Sequence, residues 1–397
     1  MRQGKSAAAD IEPRGISRAP DGYLPALTGL RGIAACWVVL FHLWEFSGSP
    51  TLGVSIFDFT SIARFGFMGV DLFFVLSGFL LSMPFLRADV LHRPAPSLSG
   101  FWIRRCRRVL PAYYVQLVII AATLWWLGKT ASLTPFNLAA HALLIQNLFA
   151  GIVPLNAVYW TMPVEWDFYI VLPLMTLLLS RLRPAFALFV LVCLSVAFRA
   201  ACYRAYLDPA WAQIVDYGRI MQLPARFDEF FFGILGAWLT LRRAASPARA
   251  RWWMSGGIIG IVIAVAGQSV FGDVFWNPRL PWILLYLTWI GLSFGAIVYG
   301  AAAQSGPRVW FGGRVLSWLG LISYSLYLWH YPLLQAAQHI NGNATGGPLA
   351  LLQNIIVLTP AILFVSWLSQ HFVERPFLVE RSSRTPRHGM PASFDDR

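Results

Sequence analysis

The feature that most constrains this chain is a set of long segments without a charged residue. No Asp, Glu, Lys or Arg occurs between Arg314 and Glu374, and similar runs cover residues 109–128, 252–272 and 280–307. A bilayer core about 30 Å thick is crossed by roughly 20 helical residues. Only 12% of the chain is charged, whereas soluble domains carry roughly 25%. The sequence therefore excludes an ordinary soluble protein and predicts repeated membrane crossing.

The apolar segments predict an all-α integral membrane protein with about ten transmembrane helices. Turn signals at Asn341-Gly342-Asn343 and Gly346-Gly347-Pro348 divide the longest segment into two. A shorter apolar stretch, 135–150, predicts a re-entrant or interfacial helix. The ten predicted helices cover residues 30–47, 66–86, 109–128, 159–180, 184–203, 224–241, 252–271, 280–302, 315–338 and 350–372.

The basic residues predict the orientation of these helices. Lys and Arg total 31 against 18 Asp and Glu, and with the N-terminus in the cytoplasm most of them fall on the cytoplasmic side. The opposite side carries only Arg64, Lys129, Arg199, Arg204, Arg219, Arg226 and Arg279. This positive-inside bias predicts that both termini are cytoplasmic. Apolar runs separate the arginines, so no nucleic-acid partner is expected.

The chain divides into one membrane domain and two tails. Residues 1–24 and 379–397 are polar and basic and are predicted to be disordered, and residues 25–378 form the membrane domain. The N-terminal tail lacks the apolar core of a cleavable signal peptide. The four cysteines have no metal-ligand spacing, so we expect packing residues and no metal site.

The first predicted helix carries two ionisable residues, Arg31 and His42. Their spacing is close to three helical turns, which puts both on one face about 16 Å apart along the axis. Arg31 then lies at the cytoplasmic end and His42 in the outer half. A structural alternative is a snorkelling arginine with a satisfied interior histidine.

Three acidic residues occupy the outer ends of other predicted helices. Asp71 lies near the outer mouth, at the depth of His42, although an aspartate there also suits a helix cap. Glu165 lies just inside the outer boundary, and Asp167 cannot share its helix face. We expect Glu165 to face the bundle. His42, Glu165 and Asp71 are therefore predicted to form an outer layer capable of general-base chemistry.

Arginines form a second, inner layer. Arg105 and Arg108 lie three residues apart at the start of the third predicted helix, so they share a face suited to gripping a phosphate. If they serve membrane topology alone, these two arginines are part of a cluster that keeps this end of the helix in the cytoplasm. With Arg31 they suit a polyanionic cytosolic ligand. A second intramembrane imidazole, His330, is more often structural than catalytic, and residues 226–229 predict a charged outer rim.

Several motifs occur in an order that resembles the membrane-bound acyltransferase 3 family, whose members O-acylate glycans outside the bacterial cytoplasm. The resemblance covers about residues 24–378. It implies a multi-pass enzyme of the bacterial cytoplasmic membrane that acylates a glycan or glycolipid hydroxyl. It also implies acetyl-CoA, or another acyl-CoA, as co-substrate, with no permanently bound cofactor. The segments that carry the resemblance are 27–32, 69–79, 104–108, 164–169, 324–330 and 373–377.

The family's functional motifs fall on residues already singled out. Its Arg-x10-His pair matches Arg31 and His42, and its Arg-x-x-Arg motif matches Arg105 and Arg108. The Ser-Val-Glu-Trp signature has Pro163 in place of its serine, so any role of that hydroxyl is absent.

The resemblance implies a mechanism in which the three arginines hold the CoA phosphates and His42 removes the proton from the acceptor hydroxyl. Glu165 then orients the imidazole of His42 or interacts with its charge, or it positions the sugar. A covalent acyl-histidine or acyl-serine stays open, with Ser77 and Ser323 as candidates. Further supporting residues are Asp71, Tyr324 and His330. The outer aromatics either stack on the sugar or form an interfacial belt, and they are Tyr159, Trp160 and Trp166.

The main alternative is a proton-coupled transporter or flippase of an anionic or glycan substrate. Such a protein typically shows internal repeats and helices broken at mid-membrane. Neither is evident in this sequence. The acyltransferase interpretation is therefore preferred.

Overall fold

A computed structural model gives the structure of most of the chain. Most described residues are helical, and the strands among them form one antiparallel hairpin of β1 (Gly53–Val54) and β2 (Phe57–Asp58). The predicted tails, up to residue 23 and from residue 379, lie outside the described residues, as do Arg219, Arg279 and most of the predicted turn at 341–343. The described ranges are 24–54, 57–149, 151–207, 221–242, 246–271, 283–303, 311–341 and 346–378.

Ten long helices in the described chain coincide with the ten predicted ones, and three short helices supplement them. A 3-10 turn precedes each of α3, α6 and α8, and the π-helix Gln370–Glu374 joins α12 to α13. In chain order the helices are α1 (Pro25–Phe46), α2 (Thr60–Arg64), α3 (Gly69–Val90), α4 (Leu98–Trp126), α5 (Pro135–Ala142), α6 (Thr161–Arg181), α7 (Pro184–Leu207), α8 (Phe227–Arg242), α9 (Pro247–Phe271), α10 (Ile283–Ala302), α11 (Arg314–Asn341), α12 (Pro348–Ser369) and α13 (Arg375–Leu378).

Eight helical stretches in the described residues are long and apolar enough to cross a bilayer. They contain α1, α3, α4, α6, α7, α9, α10 and α12. The two long helices outside this set are α8, which has 16 residues, and α11, which carries polar residues such as Ser325 and His330. Most of α8 and the middle of α11, residues 320–330, lie inside the bundle, where protein rather than lipid surrounds the polar groups.

The exposed surfaces distinguish lipid-facing helices from central ones. Only 28%, 28% and 17% of the apolar windows of α7, α9 and α12 are buried, against 61% to 72% for α1, α3 and α10. The exposed faces of the first group carry large apolar side chains such as Phe189, Val262 and Ile356. A soluble protein rarely exposes so much apolar surface. The chain is a multi-pass membrane protein.

Close backbone contacts bring the central helices together. A Cβ on Gly320 of α11 would lie 1.9 Å from the carbonyl oxygen of Thr28 on α1, so only glycine allows this crossing. A Cβ on Gly233 of α8 would likewise lie 2.0 Å from the carbonyl oxygen of Val75 on α3. Small residues at such contacts are typical of membrane helix pairs. They place polar residues of α1 beside α11, and of α3 beside α8.

Helix α4, which corresponds to the third predicted membrane helix, begins earlier than the sequence predicts. Helix α4 starts at Leu98 rather than near residue 109, because Ser97 caps it by accepting a hydrogen bond from the backbone N–H of Gly100 at 3.2 Å. The arginine cluster therefore lies within a helix, which fixes the common face of Arg105 and Arg108. The predicted short helix also exists, as α5, whose eight residues are too few to cross a membrane.

Candidate active site

Three arginines meet in a narrow cavity of about 90 Å³, which we call the arginine cavity. Arg31 comes from α1, and Arg105 and Arg108 from α4. The same cavity contains Glu165 of α6 and Ser77 of α3. The hydroxyl of Ser77 donates to Oε1 of Glu165 at 3.0 Å. The structure thus brings the three predicted arginines together, with a carboxylate among them.

Two guanidinium groups of this cavity have N–H donors that are not used in hydrogen bonds within the described residues. The Nε atoms of Arg31 and Arg105 are buried and have no hydrogen-bond partner in the described part of the chain. Nη1 of Arg108 lies 2.9 Å from Oε2 of Glu374. Three guanidinium charges thus face two carboxylates, Glu165 and Glu374. The cavity is net positive and suited to an anion.

Glu374 is a partner of Arg108 that the sequence did not reveal. The π-helix Gln370–Glu374 ends α12 and turns this carboxylate into the bundle, where it is fully buried. Its Oε1 accepts a hydrogen bond from Ser325 of α11. The Ser325 hydroxyl also lies 2.8 Å from that of Ser369. Glu374 thereby ties α4, α11 and α12 together beside the arginine cavity.

A second and larger cavity, of about 310 Å³, adjoins the first and contains His42. We call it the histidine cavity. Its polar side chains are His42, Glu45, Asp71 and Arg226, and most of the others are apolar or aromatic. Those other lining residues are Val38, Phe41, Phe67, Val70, Ala157, Val158, Trp160, Met221, Tyr327 and Tyr331.

Two imidazoles meet at the edge of the histidine cavity. Nδ1 of His42 lies 3.0 Å from the carbonyl oxygen of Val38 and 3.1 Å from Nε2 of His330. Nδ1 of His330 lies 3.0 Å from the carbonyl oxygen of Leu326. Because a carbonyl only accepts, each Nδ1 is assigned the proton of a neutral ring. Nε2 of His330 then accepts from the same Nδ1–H of His42, which it shares with the Val38 carbonyl. Nε2 of His42 keeps a lone pair with no partner in the described part of the chain.

Asp71 lines the histidine cavity together with His42, but it is ion-paired. Nη1 of Arg226 lies 2.5 Å from Oδ1 of Asp71 and 2.8 Å from Oε1 of Glu229. Each of these three residues is at most 3% exposed. The predicted outer rim at residues 226–229 is therefore wrong, because Asp71 provides an opposite charge that allows Arg226 to be buried.

Asp228, in the same segment, belongs to a separate buried network. Nη2 of Arg199 lies 2.5 Å from its Oδ1, and the Thr288 hydroxyl donates to its Oδ2 at 2.5 Å. Nε of Arg199 donates to the carbonyl of Ala225 at 2.8 Å. These residues line neither cavity. Their contacts fix α7, α8 and α10 to one another.

Glu165 does not lie beside His42, contrary to the predicted outer layer. Helix α6 follows directly on the 3-10 turn Ala157–Trp160, so Glu165 lies two turns inside the helical segment. Ser77, its partner, lies eight residues or about 12 Å inside α3. Glu165 does face the bundle, as predicted, but at the level of the arginines. The side chain that lies within hydrogen-bond distance of the His42 ring, among the described residues, is His330.

The two cavities share a wall formed by Val70 and Tyr327. The Tyr327 hydroxyl donates to the carbonyl of Val158 at 3.0 Å and accepts from Thr161 at 3.1 Å. These bonds fix the tyrosine ring in place. The arginine cavity and the histidine cavity are thus separated by side chains rather than by a helix.

The remaining predicted hydroxyl and aromatic residues have defined contacts. The Tyr324 and Ser323 hydroxyls line the arginine cavity but donate to backbone carbonyls at 2.8 Å. Of the three predicted aromatics, Trp160 lines the histidine cavity. The other two pack elsewhere, with Tyr159 against Tyr113 and Trp166 against Trp102.

The fold and the site together define a class of protein: a multi-pass helical bundle whose interior holds a basic cavity next to a histidine cavity. The family model for the acyltransferase domain matches residues 24–371. The chain belongs to the acyltransferase 3 family, and the resemblance seen in its motifs is confirmed. No solved structure matches it.

Curated relatives support the same family. Over 89% of its length the chain is 26% identical to a putative peptidoglycan O-acetyltransferase of Bacillus subtilis, covering 55% of that protein. It is 27% identical to a peptidoglycan O-acetyltransferase of Listeria monocytogenes, over 89% of this chain and 56% of that protein. A putative O-acetyltransferase of Staphylococcus aureus is 25% identical, over 90% of this chain and 58% of that protein. The chain thus spans about half the length of the curated relatives it matches.

Proposed function

We propose that this protein is a membrane O-acyltransferase that moves an acetyl group from acetyl-CoA to a hydroxyl of an extracytoplasmic glycan. Family membership and the names of the relatives support the reaction class. One observation carries the proposal: a net positive cavity and a histidine cavity share the wall of Val70 and Tyr327. An anionic donor and a hydroxyl acceptor then approach one another from opposite sides.

The proposal includes a ten-span topology in the bacterial cytoplasmic membrane, with α8 and α11 as spans and both termini in the cytoplasm. The asymmetry of arginines supports this orientation. In it, the Arg31 end of α1 lies toward the cytoplasm, where acetyl-CoA is made. His42, eleven residues further along the helix, lies toward the outside.

The donor would bind to the three arginines. The unpartnered Nε groups of Arg31 and Arg105 support this role, since a phosphate supplies the acceptors that these buried donors lack. Arg108, held by Glu374, provides the third charge. Glu165 and Ser77 line the same cavity and would position the thioester arm rather than act on His42.

The reaction would use the free lone pair of His42 Nε2. This atom accepts the proton of the acceptor hydroxyl while the hydroxyl oxygen attacks the thioester carbonyl. The new C–O bond forms, the C–S bond breaks, and the CoA thiolate takes up the proton from His42. Direct transfer is favoured over an acyl-Ser323, because that hydroxyl donates to a backbone carbonyl. The Ser77 hydroxyl donates to Glu165, which is the contact a general base makes, so an acyl-Ser77 is the alternative to direct transfer.

Transfer of radiolabelled acetyl groups from acetyl-CoA to envelope glycan, in membranes containing the protein, tests this proposal. We expect label with the wild type, none with His42→Ala and a reduced amount with Glu165→Gln. His339→Ala, an exposed histidine that lines neither cavity, is the matched control. Insertion is verified for each variant. Wild-type labelling by inserted His42→Ala would overturn the assigned base, and solute movement without acetyl transfer would support a transporter.

A further inference from the structure

The two cavities have opposite charge. Among the described residues, the exposed carboxylate of Glu45 and the buried carboxylate of Asp71 line the histidine cavity, and Glu229 lies behind its wall, against one guanidinium, that of Arg226. The arginine cavity has the reverse balance. Because like charges repel, the histidine cavity disfavours an anionic occupant.

Aromatic side chains make up much of the remaining wall. Phe41, Phe67, Trp160 and Tyr331 line it, and the guanidinium carbon of Arg226 lies 5.7 Å from the centre of the Trp160 ring. Small-molecule sites typically combine apolar walls with a few placed polar groups. A volume of about 310 Å³ suits one small ring, at the lower end of the usual range of ~300–1,000 Å³.

The polar groups in this wall are rigid and partly unsatisfied. Arg226 is 2% exposed and its Nε has no hydrogen-bond partner within the described ranges. The ion pair with Asp71 holds the guanidinium plane in place. His42 offers an acceptor at Nε2. The cavity therefore presents a donor and an acceptor at fixed positions beside an aromatic face.

We propose that the histidine cavity is the acceptor subsite and that it takes an uncharged pyranose unit, excluding sugars that carry a carboxylate or a phosphate. A pyranose has apolar C–H faces and a rim of hydroxyls, which complement Trp160 and the Arg226–Asp71 pair respectively. One hydroxyl then faces His42. This inference rests on the proposed function and adds the class of sugar that the site accepts.

Saturation-transfer NMR tests binding without requiring any chemistry. The full chain in detergent micelles is given methyl β-glucopyranoside or methyl β-glucuronopyranoside, which differ in one carboxylate. We expect transfer from aromatic protons to the ring protons of the glucoside, and at least tenfold weaker binding of the glucuronide. Trp160→Ala should abolish the glucoside signal, and Trp160→Phe should retain it.

The same two sugars are then compared as acetyl acceptors. Glu45→Gln should raise the rate ratio of glucuronide to glucoside severalfold, because it removes one negative charge from the cavity. Asp89→Asn, an exposed carboxylate paired with Arg242, should leave that ratio unchanged.

Three results would overturn the acceptor subsite: equal binding of the two sugars, no binding of the glucoside, or a full glucoside signal from Trp160→Ala. Discriminating binding with no acetyl transfer to any glycan would instead retain the sugar site and overturn the proposed function. The two failures are therefore distinguishable.

Discussion

Nε2 of His330 lies 3.1 Å from Nδ1 of His42, across the contact between α11 and α1. The two rings are brought together by helices whose backbones touch at Gly320 and Thr28. Each ring is also held by a backbone carbonyl of its own helix. The Val38 carbonyl assigns the Nδ1–H tautomer of His42, and Nε2 of His330 accepts from the same N–H. A second histidine rather than a carboxylate thus lies against the base of the proposed reaction.

Replacing His330 should slow the chemical step without weakening donor binding. We expect His330→Ala to lower kcat about tenfold, equivalent to a lost hydrogen bond of ~1.4 kcal/mol, with the KM for acetyl-CoA unchanged. His330→Gln should restore part of kcat, since its amide oxygen can accept from Nδ1 of His42. Steady-state kinetics on purified protein measure both constants. Wild-type kcat for His330→Ala would refute the positioning role.

Replacing a cavity arginine should have the opposite kinetic signature. Arg105→Ala should raise the KM for acetyl-CoA at least tenfold, because a charge-assisted hydrogen bond contributes ~1.5–3 kcal/mol. The KM for the glycan should stay the same. Arg107→Ala is the matched control, since its exposed side chain on the same helix lines neither cavity. Equal effects of the two variants would show that bulk positive charge, rather than the cavity, binds the donor.

Removing the charge of Glu374 should destabilise the fold. Glu374→Gln leaves Arg108 without its buried counter-ion, which costs ~3 kcal/mol for a buried pair. We expect a clearly lower Tm in detergent and a higher KM for acetyl-CoA. Asp89→Asn breaks an exposed pair, which contributes at most ~1 kcal/mol. If the two variants lower Tm equally, Glu374 does not have the structural role described above.

A larger side chain in the shared wall should separate binding from transfer. Val70→Phe fills the boundary between the cavities, so we expect normal acetyl-CoA binding and at least tenfold slower transfer. Leu72→Phe is the control for overpacking, because Leu72 is equally buried on α3 and lines neither cavity. Binding is measured with labelled CoA and transfer with labelled acetyl-CoA. Similar transfer rates for the two variants would mean that the acyl group takes another route.

Helical periodicity was enough to predict several features of the site. The spacing of Arg31 and His42 predicts that they lie on one face of the first helix at different positions along its axis. In the structure they line the two different cavities. The spacing of Arg105 and Arg108 predicts their common face. These residues share a helix pairwise, so their relative positions depend on local geometry alone.

Contacts between distant segments could not be predicted in this way. The sequence predicts Glu165 in one layer with His42, because it does not reveal the 3-10 turn that precedes α6. Arg108 and Glu374 meet only because a π-helix turns the end of α12 inward. Arg226 resembles an exposed rim residue until its partner Asp71, from another helix, is known. The first two features depend on a local 3-10 or π turn and the third on an ion pair between helices, and none of them follows from hydrophobic periodicity.

The most direct test of the two-cavity mechanism separates the substrates by a membrane. The protein is reconstituted into vesicles with the glycan acceptor trapped inside and radiolabelled acetyl-CoA outside, and the accessibility of an N-terminal tag to protease reports orientation. Molecules with the N-terminus outside should label the trapped glycan, since their arginine cavity faces the donor. Labelling only when donor and glycan share one side would contradict the mechanism.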